Sequence, residues 1–203
     1  MEILLRSFGS TITLIPLTSH WRCETMRFKT MCLLLMLLSI FSPQPGRAEE
    51  TGWVAVGFRA GLSATDGNED FEQYELFATY GLPWSWGLTD TSFVSARICL
   101  SAGALRGGGK TGLIGSAGPT IALSMFNGLI FLDGGVSAAL LSEHQFGQEN
   151  FGGPIQFVSH VGIGFRIGDN LGVGYRFQHM SNASIYNRNP GLELHLIELR
   201  YRF

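Results

Sequence analysis

The sequence predicts an all-β fold, an eight-stranded antiparallel transmembrane β-barrel of the outer-membrane type. Three observations carry this. Past residue 48 the chain alternates apolar and polar side chains with a period of two, the pattern of strands rather than helices. In the same region no apolar stretch reaches about twenty residues, so no transmembrane helix is expected there. The region is also rich in glycine and aromatic residues. A closed barrel is the second way to cross a bilayer with every backbone group paired.

The N-terminus reads differently. Met26-Arg27-Phe28-Lys29 is a short basic start, and the apolar run CLLLMLLSIF follows from Cys32 to Phe41. Ser42-Pro43 and Pro45-Gly46 then disfavour helix, and Gly46-Arg47-Ala48 puts small residues at the two positions a signal peptidase inspects. These are the marks of a secretory signal, about 26–48, with a cut expected after Ala48 and an apolar core too short to span as a helix. The expected organisation is a leader over 1–48 and a barrel domain over 49–203. Residues 1–25 fit either an extended leader or a start at Met26.

Beyond Ala48 the only cysteine is Cys99, so an intrachain disulfide is excluded, and no Cys/His cluster suggests structural zinc. No metal and no cofactor are expected. Five of the 14 Lys and Arg and two of the 16 Asp and Glu precede residue 49, leaving nine against fourteen, a net of −5. That balance excludes a basic nucleic-acid-binding surface as the main theme.

Eight strands are placed in order. The first, 53–62, ends at the turn Thr65-Asp66-Gly67-Asn68. The second, 71–80, alternates Tyr74, Leu76, Ala78 and Tyr80 with Gln73, Glu75 and Thr79; Phe77 breaks the polar side. Gly81-Leu82-Pro83 is expected to end it, and Trp84 and Trp86 to sit in an interfacial aromatic belt. The third runs from 92 to about 105, turned by Gly107-Gly108-Gly109-Lys110. The fourth, 113–123, and the fifth, 129–141, are joined at Phe126-Asn127-Gly128. Residues 142–154 make a longer polar excursion, the expected extracellular loop. The sixth, 156–167, turns at Gly168-Asp169-Asn170 into the seventh, 171–181, and the loop 183–191 leads to the eighth, 192–203. Ten or so residues suit a tilted membrane strand, and eight strands leave no pore. Gly162, Gly164, Gly168, Gly172 and Gly174 are expected to let side chains approach closely across the lumen. The ending Leu199, Tyr201, Phe203 suits a final outer-membrane strand.

Parity then sorts the faces. In the eighth strand Ile197, Leu199, Tyr201 and Phe203 face outward, because Glu198, Arg200 and Arg202 belong in the lumen. The outward set continues back to His195 and Glu193. In the seventh, Leu171, Val173, Tyr175 and Phe177 mark the lipid face, which continues to His179 and Ser181. A serine, a histidine and a carboxylate thus share one outward surface on adjacent strands near the rim. Polar groups there are destabilising, though less so than at the midplane. The three are also the parts of an acyl-transfer triad: imidazole activates the hydroxyl and the carboxylate orients the imidazole. From spacing alone, a coincidence of polar rim residues is the commoner reading.

The motif His179-x-Ser181-Asn182-Ala183 followed by Asn189-Pro190-Gly191-x-Glu193 resembles the signature of the PagL-type lipid A 3-O-deacylases, outer-membrane enzymes of Gram-negative bacteria. The resemblance implies Ser181 as nucleophile, His179 as base and Glu193 as its orienting group. It further implies that Asn182 forms or supports an oxyanion hole and that Asn189 shapes the adjoining loop. Ser184 stands where many members carry glycine. The implied function is hydrolysis of the 3-O-linked 3-hydroxyacyl ester of lipid A, with lipopolysaccharide as substrate and a second copy of the chain as the one protein partner to consider. Two rivals stay open. One is a non-enzymatic small barrel; the other is a different lipid-acting barrel enzyme, a palmitoyltransferase or phospholipase. Elsewhere, His160 is read as a packed lumen residue, Asp133 and Arg97 as lumen charges, and Cys99 as a small buried residue. His144 falls in the polar loop. His195 is assigned to headgroups or a subunit partner, and Trp84 and Trp86 to anchoring.

Overall fold

A computed structural model describes residues 51–64 and 69–203. The expected leader lies outside the described residues, as does the Thr65–Asn68 turn. Period-two patterning becomes strands β1 (Gly52–Ser63), β2 (Phe71–Thr89), β3 (Ser92–Gly107), β4 (Lys110–Met125) and β5 (Ile130–Leu141). A small hairpin, β6 (Gln145–Phe146) and β7 (Glu149–Asn150), precedes β8 (Ile155–Ile167), β9 (Leu171–Ser181) and β10 (Leu192–Arg202). The eight long strands close in the order β1-β10-β9-β8-β5-β4-β3-β2, every pair antiparallel. Closure is made by β1 on β10, with Phe58 opposite Leu199 and Arg59 opposite Glu198. Closing the sheet removes the unpaired edges that an open one would expose.

The wall is apolar outside and polar inside, the reverse of a water-soluble core. Phe58, Leu76, Leu113, Ile121, Leu140, Val161, Ile163, Ile197 and Leu199 are exposed on the outer surface. Arg59, Gln73, Glu75, Thr79, Arg97, Thr120, His160, Arg176, Glu198 and Arg200 are buried in the lumen. That inversion is what hydrocarbon around a barrel demands.

The lumen has two layers. Toward the strand ends that carry the longer loops, Phe71, Leu105, Ile114, Leu141, Phe146, Phe151, Val158, Met180, Leu192, Leu194 and Leu196 form an apolar plug. Its centre is a trio of rings, with Phe71 5.6 Å from Phe146 and 5.5 Å from Phe151. Below it lies a charge network. Arg59 donates to Glu75 at 2.8 Å and to Glu198 at 2.6 Å. Arg200 binds Glu198 and reaches Asp133 at 3.2 Å, and His160 lies 3.6 Å from Asp133. Arg59, Glu75, Glu198, Arg200 and Asp133 persist as charges this deep because each meets an opposite partner. The expected places of His160, Asp133, Arg97 and Cys99 match this arrangement, all of them within the lumen.

Three local expectations are corrected. β2 does not stop at Tyr80 but runs on to Thr89; the pairing with β3 shifts register between Gly81 and Ser85, so an irregularity absorbs Pro83, which has no N–H for the ladder. Phe77, the apparent fault in β2, is a lumen residue whose ring lies 3.7 Å beneath the Arg59 guanidinium. The 142–154 excursion is not simply a polar loop, because its hairpin buries Phe146 and Phe151 completely enough to cap the lumen. In that loop the Gln145 N–H, with Lys110 next, holds the exposed Glu143 carboxyl below its ordinary range. Gly168 lies in the turn after β8, at φ 67°, rather than lining the lumen.

β3 and β4 also extend further than the periodicity suggests, to a Gly107–Lys110 closing pair around Gly108 and Gly109 at φ 51° and 75°. A two-residue hairpin needs that backbone, and glycine adopts it without steric cost.

Candidate active site

β9 and β10 are neighbours, and their register puts Glu193 directly opposite His179. Alternate burial along β9 confirms the faces: Arg176, Gln178 and Met180 are buried, while Phe177, His179 and Ser181 are partly exposed on the other side. The Nδ1 of His179 lies 3.7 Å from Oε1 of Glu193, with the two side chains 43% and 41% exposed. This is longer than a hydrogen bond. Ser181 is the last residue of β9, paired with Phe157 of β8. It stands two positions beyond His179 on the same face, with Cα atoms roughly 6.5–7 Å apart by strand geometry. Behind this face the plug residues Met180 and Leu192 pair with each other, so the site rests on packed side chains.

The strand ends where it does because of the next three residues. Asn182 turns inward and is fully buried. Its amide group donates to the Phe151 carbonyl at 2.8 Å and the Arg188 carbonyl at 2.6 Å. Its backbone N–H donates to Oδ1 of Asn189 at 2.9 Å. Ala183 and Ser184 then take left-handed φ values of 50° and 64°, which breaks the ladder. The loop returns through Tyr186, whose hydroxyl accepts the Ile155 N–H at 3.3 Å, to Gly191 at φ 74°. A Cβ on Gly191 would sit 3.2 Å from Cε1 of His179, so the glycine lets the backbone lie against the imidazole.

Of the five residues singled out in the motif, His179, Ser181 and Glu193 share the outer wall at the loop end. Asn182 and Asn189 tie the adjoining loop to the lumen plug. His144 is in the loop bearing β6, as its position suggested. Trp84 is exposed on the outer wall of the extended β2.

One feature escaped sequence reasoning. The Tyr175 hydroxyl meets Nδ1 of His195 at 2.5 Å, with the rings stacked 5.8 Å apart, and Phe177 flanks the same imidazole at 5.5 Å. Parity had set both residues outward. Only the diagonal register between β9 and β10 makes them partners.

Fold and site together define a class: membrane β-barrels whose lipid-facing wall carries a histidine–carboxylate pair beside a serine. The family described as lipid A 3-O-deacylase (PagL) matches residues 72–202, from the start of β2 to the end of β10. The chain belongs to that family. The lipid A deacylase PagL of Bordetella bronchiseptica is 33% identical over 73 residues, which is 36% of this chain and 41% of that protein. That match therefore spans under half the relative's length. The lipid A deacylase PagL of Pseudomonas aeruginosa is 29% identical over 123 residues, 56% of this chain and 70% of that protein. A crystal structure of the outer membrane enzyme PagL superposes with a TM-score of 0.65 at 22% identity, covering 73% of this chain and 99% of that one, a likeness of fold.

Proposed function

We propose that the protein is an outer-membrane serine esterase that removes the 3-O-linked 3-hydroxyacyl chain of lipid A. The observation that carries this is the placement of Glu193 opposite His179, with Ser181 two positions further along the same outward face. A water-facing hydrolase would have no reason to expose its reacting groups to lipid. An enzyme whose substrate is a membrane component needs a site that opens sideways.

In this reading, Glu193 holds the His179 tautomer in which Nδ1 carries the proton and Nε2 is free. Nε2 takes the Ser181 proton as Oγ attacks the ester carbonyl. The tetrahedral oxyanion is met by backbone N–H groups of the left-handed turn at Ala183 and Ser184, a conformation that aims successive amides at one point. The imidazolium returns its proton to the departing sugar hydroxyl. Water, deprotonated by the same imidazole, then attacks the acyl-enzyme, and the imidazolium returns that proton to Oγ of Ser181 as the 3-hydroxy fatty acid leaves. Asn182 serves by position: its side-chain amide is committed to two carbonyls, and it locks the turn that presents the oxyanion donors. Asn189 completes that lock.

Mass spectrometry of lipid A from cells expressing the protein should show loss of one 3-hydroxyacyl chain. Ser181→Ala should leave the barrel folded and the lipid intact. Retained deacylation in that variant rejects the mechanism. Transfer of an acyl chain, or cleavage of glycerophospholipid instead, rejects the substrate.

A further inference from the structure

The turn after Ser181 is held from the lumen side by a residue outside the motif. Phe157 of β8 pairs with Ser181 on the last rung of their ladder. Gln156, one residue before Phe157, therefore stands beside the point where Asn182 leaves the strand. Alternation turns Gln156 into the lumen, where it is 1% exposed. Its amide group donates to the Phe151 carbonyl at 3.2 Å and to the Gly153 carbonyl at 2.7 Å. The Phe151 oxygen is the same one that Nδ2 of Asn182 reaches at 2.8 Å. Two buried amides converge on one carbonyl and occupy both its lone pairs.

That carbonyl opens the segment on which the loop after β9 lies. Residues 151–154 fall between β7 and β8 and belong to no strand, so no ladder fixes the Phe151 and Gly153 carbonyls. The Gln156 amide supplies that restraint. A Cβ on Gly152 would overlap the Arg188 carbonyl, and one on Gly153 the Tyr186 ring, so the loop rests directly on this backbone. A shift of the Phe151 carbonyl is passed to Asn182, and from there to the left-handed pair Ala183 and Ser184. The Ile185 N–H donates back to the Asn182 carbonyl at 3.0 Å, which ties the turn to Asn182. Displacing oxyanion donors by about 1 Å costs up to about a hundredfold in rate.

We propose that Gln156 is a positioning residue for the reaction: by clamping the Phe151 carbonyl jointly with Asn182, it sets the turn whose N–H groups meet the oxyanion. It acts through Asn182 and not on the substrate. The assignment rests on the deacylase reading above.

The test uses Gln156→Met, which keeps the side chain's length without its donors, and Gln156→Glu, which keeps its shape. Each is checked for folding by heat-modifiable gel mobility. On a glucosamine 3-ester of 3-hydroxytetradecanoic acid in detergent micelles, kcat should fall by about tenfold or more, with KM held within about twofold. Hydrogen exchange at the Ile185 amide should quicken by about tenfold, while amides of residues 158–166 in β8 exchange as in the parent protein. An unchanged kcat, unchanged exchange at Ile185, or equal acceleration in β8 overturns the proposal. So does loss of the folded barrel in both variants, which makes Gln156 a support of the whole wall. Cleavage persisting in Ser181→Ala rejects the deacylase mechanism instead. Hydrogen exchange then judges the clamp without catalysis, with faster exchange at Ile185 alone upholding it and no local change overturning it.

Discussion

At the scale of single residues, Asn182 shows how a side chain outside the proposed chemistry can govern it. It is buried, and its amide spans from the Phe151 carbonyl in the plug to the Arg188 carbonyl in the loop. Asn182→Ala removes both hydrogen bonds and leaves two carbonyls without that donor. We expect a loss of about 1–3 kcal/mol of stability, read by urea unfolding in lipid vesicles, with a fall in deacylation at every pH. Ser181→Ala should differ in kind, with unfolding unchanged and deacylation lowered by roughly 10⁴-fold or more, measured by lipid A mass spectrometry. The contrast separates positioning from reaction. The motif made both residues visible, but it could not tell which way Asn182 points. Strict alternation aimed it at the lumen, and the break after Ser181 lets it stay there while the following backbone turns outward.

Among the elements, β4 and β5 show what holds two ribbons in register. A Cβ on Gly118 would overlap the Val136 carbonyl and the Ser137 Cα across the ladder. Those are backbone atoms, which cannot swing aside. Gly118→Val should therefore destabilise the barrel by about 1–3 kcal/mol, seen as a lower urea midpoint. The existence of the eight barrel strands was readable from alternation. Strand ends were not: β2 outruns Pro83 because pairing with β3 resumes at Ser85↔Ser95, a long-range event with no local signature. The β6–β7 hairpin was hidden for a related reason. Its strands are two residues each, and Phe146 and Phe151 look like isolated aromatics until the lumen exists for them to fill.

Over the whole molecule, the lumen decides stability. Glu198 joins Arg59 and Arg200, and through Arg200 the network reaches Asp133. Glu198→Gln leaves two buried guanidinium groups short of charge, so a loss of about 3–5 kcal/mol is expected. Glu72→Gln, which disrupts the exposed pair with Arg106 at 3.6 Å, should cost at most about 1 kcal/mol in the same urea experiment. Equal effects would refute the view that the charge layer, and not the count of ion pairs, braces the barrel.

By itself the sequence determined the architecture and the face on which Ser181, His179 and Glu193 stand, because side-chain alternation in a strand is a local property of the backbone. Tertiary structure alone decided which residues meet across strands: Tyr175 with His195, Asn182 with Phe151, Phe77 under Arg59. Those contacts depend on register and barrel closure, which arise only when segments far apart in the chain come together.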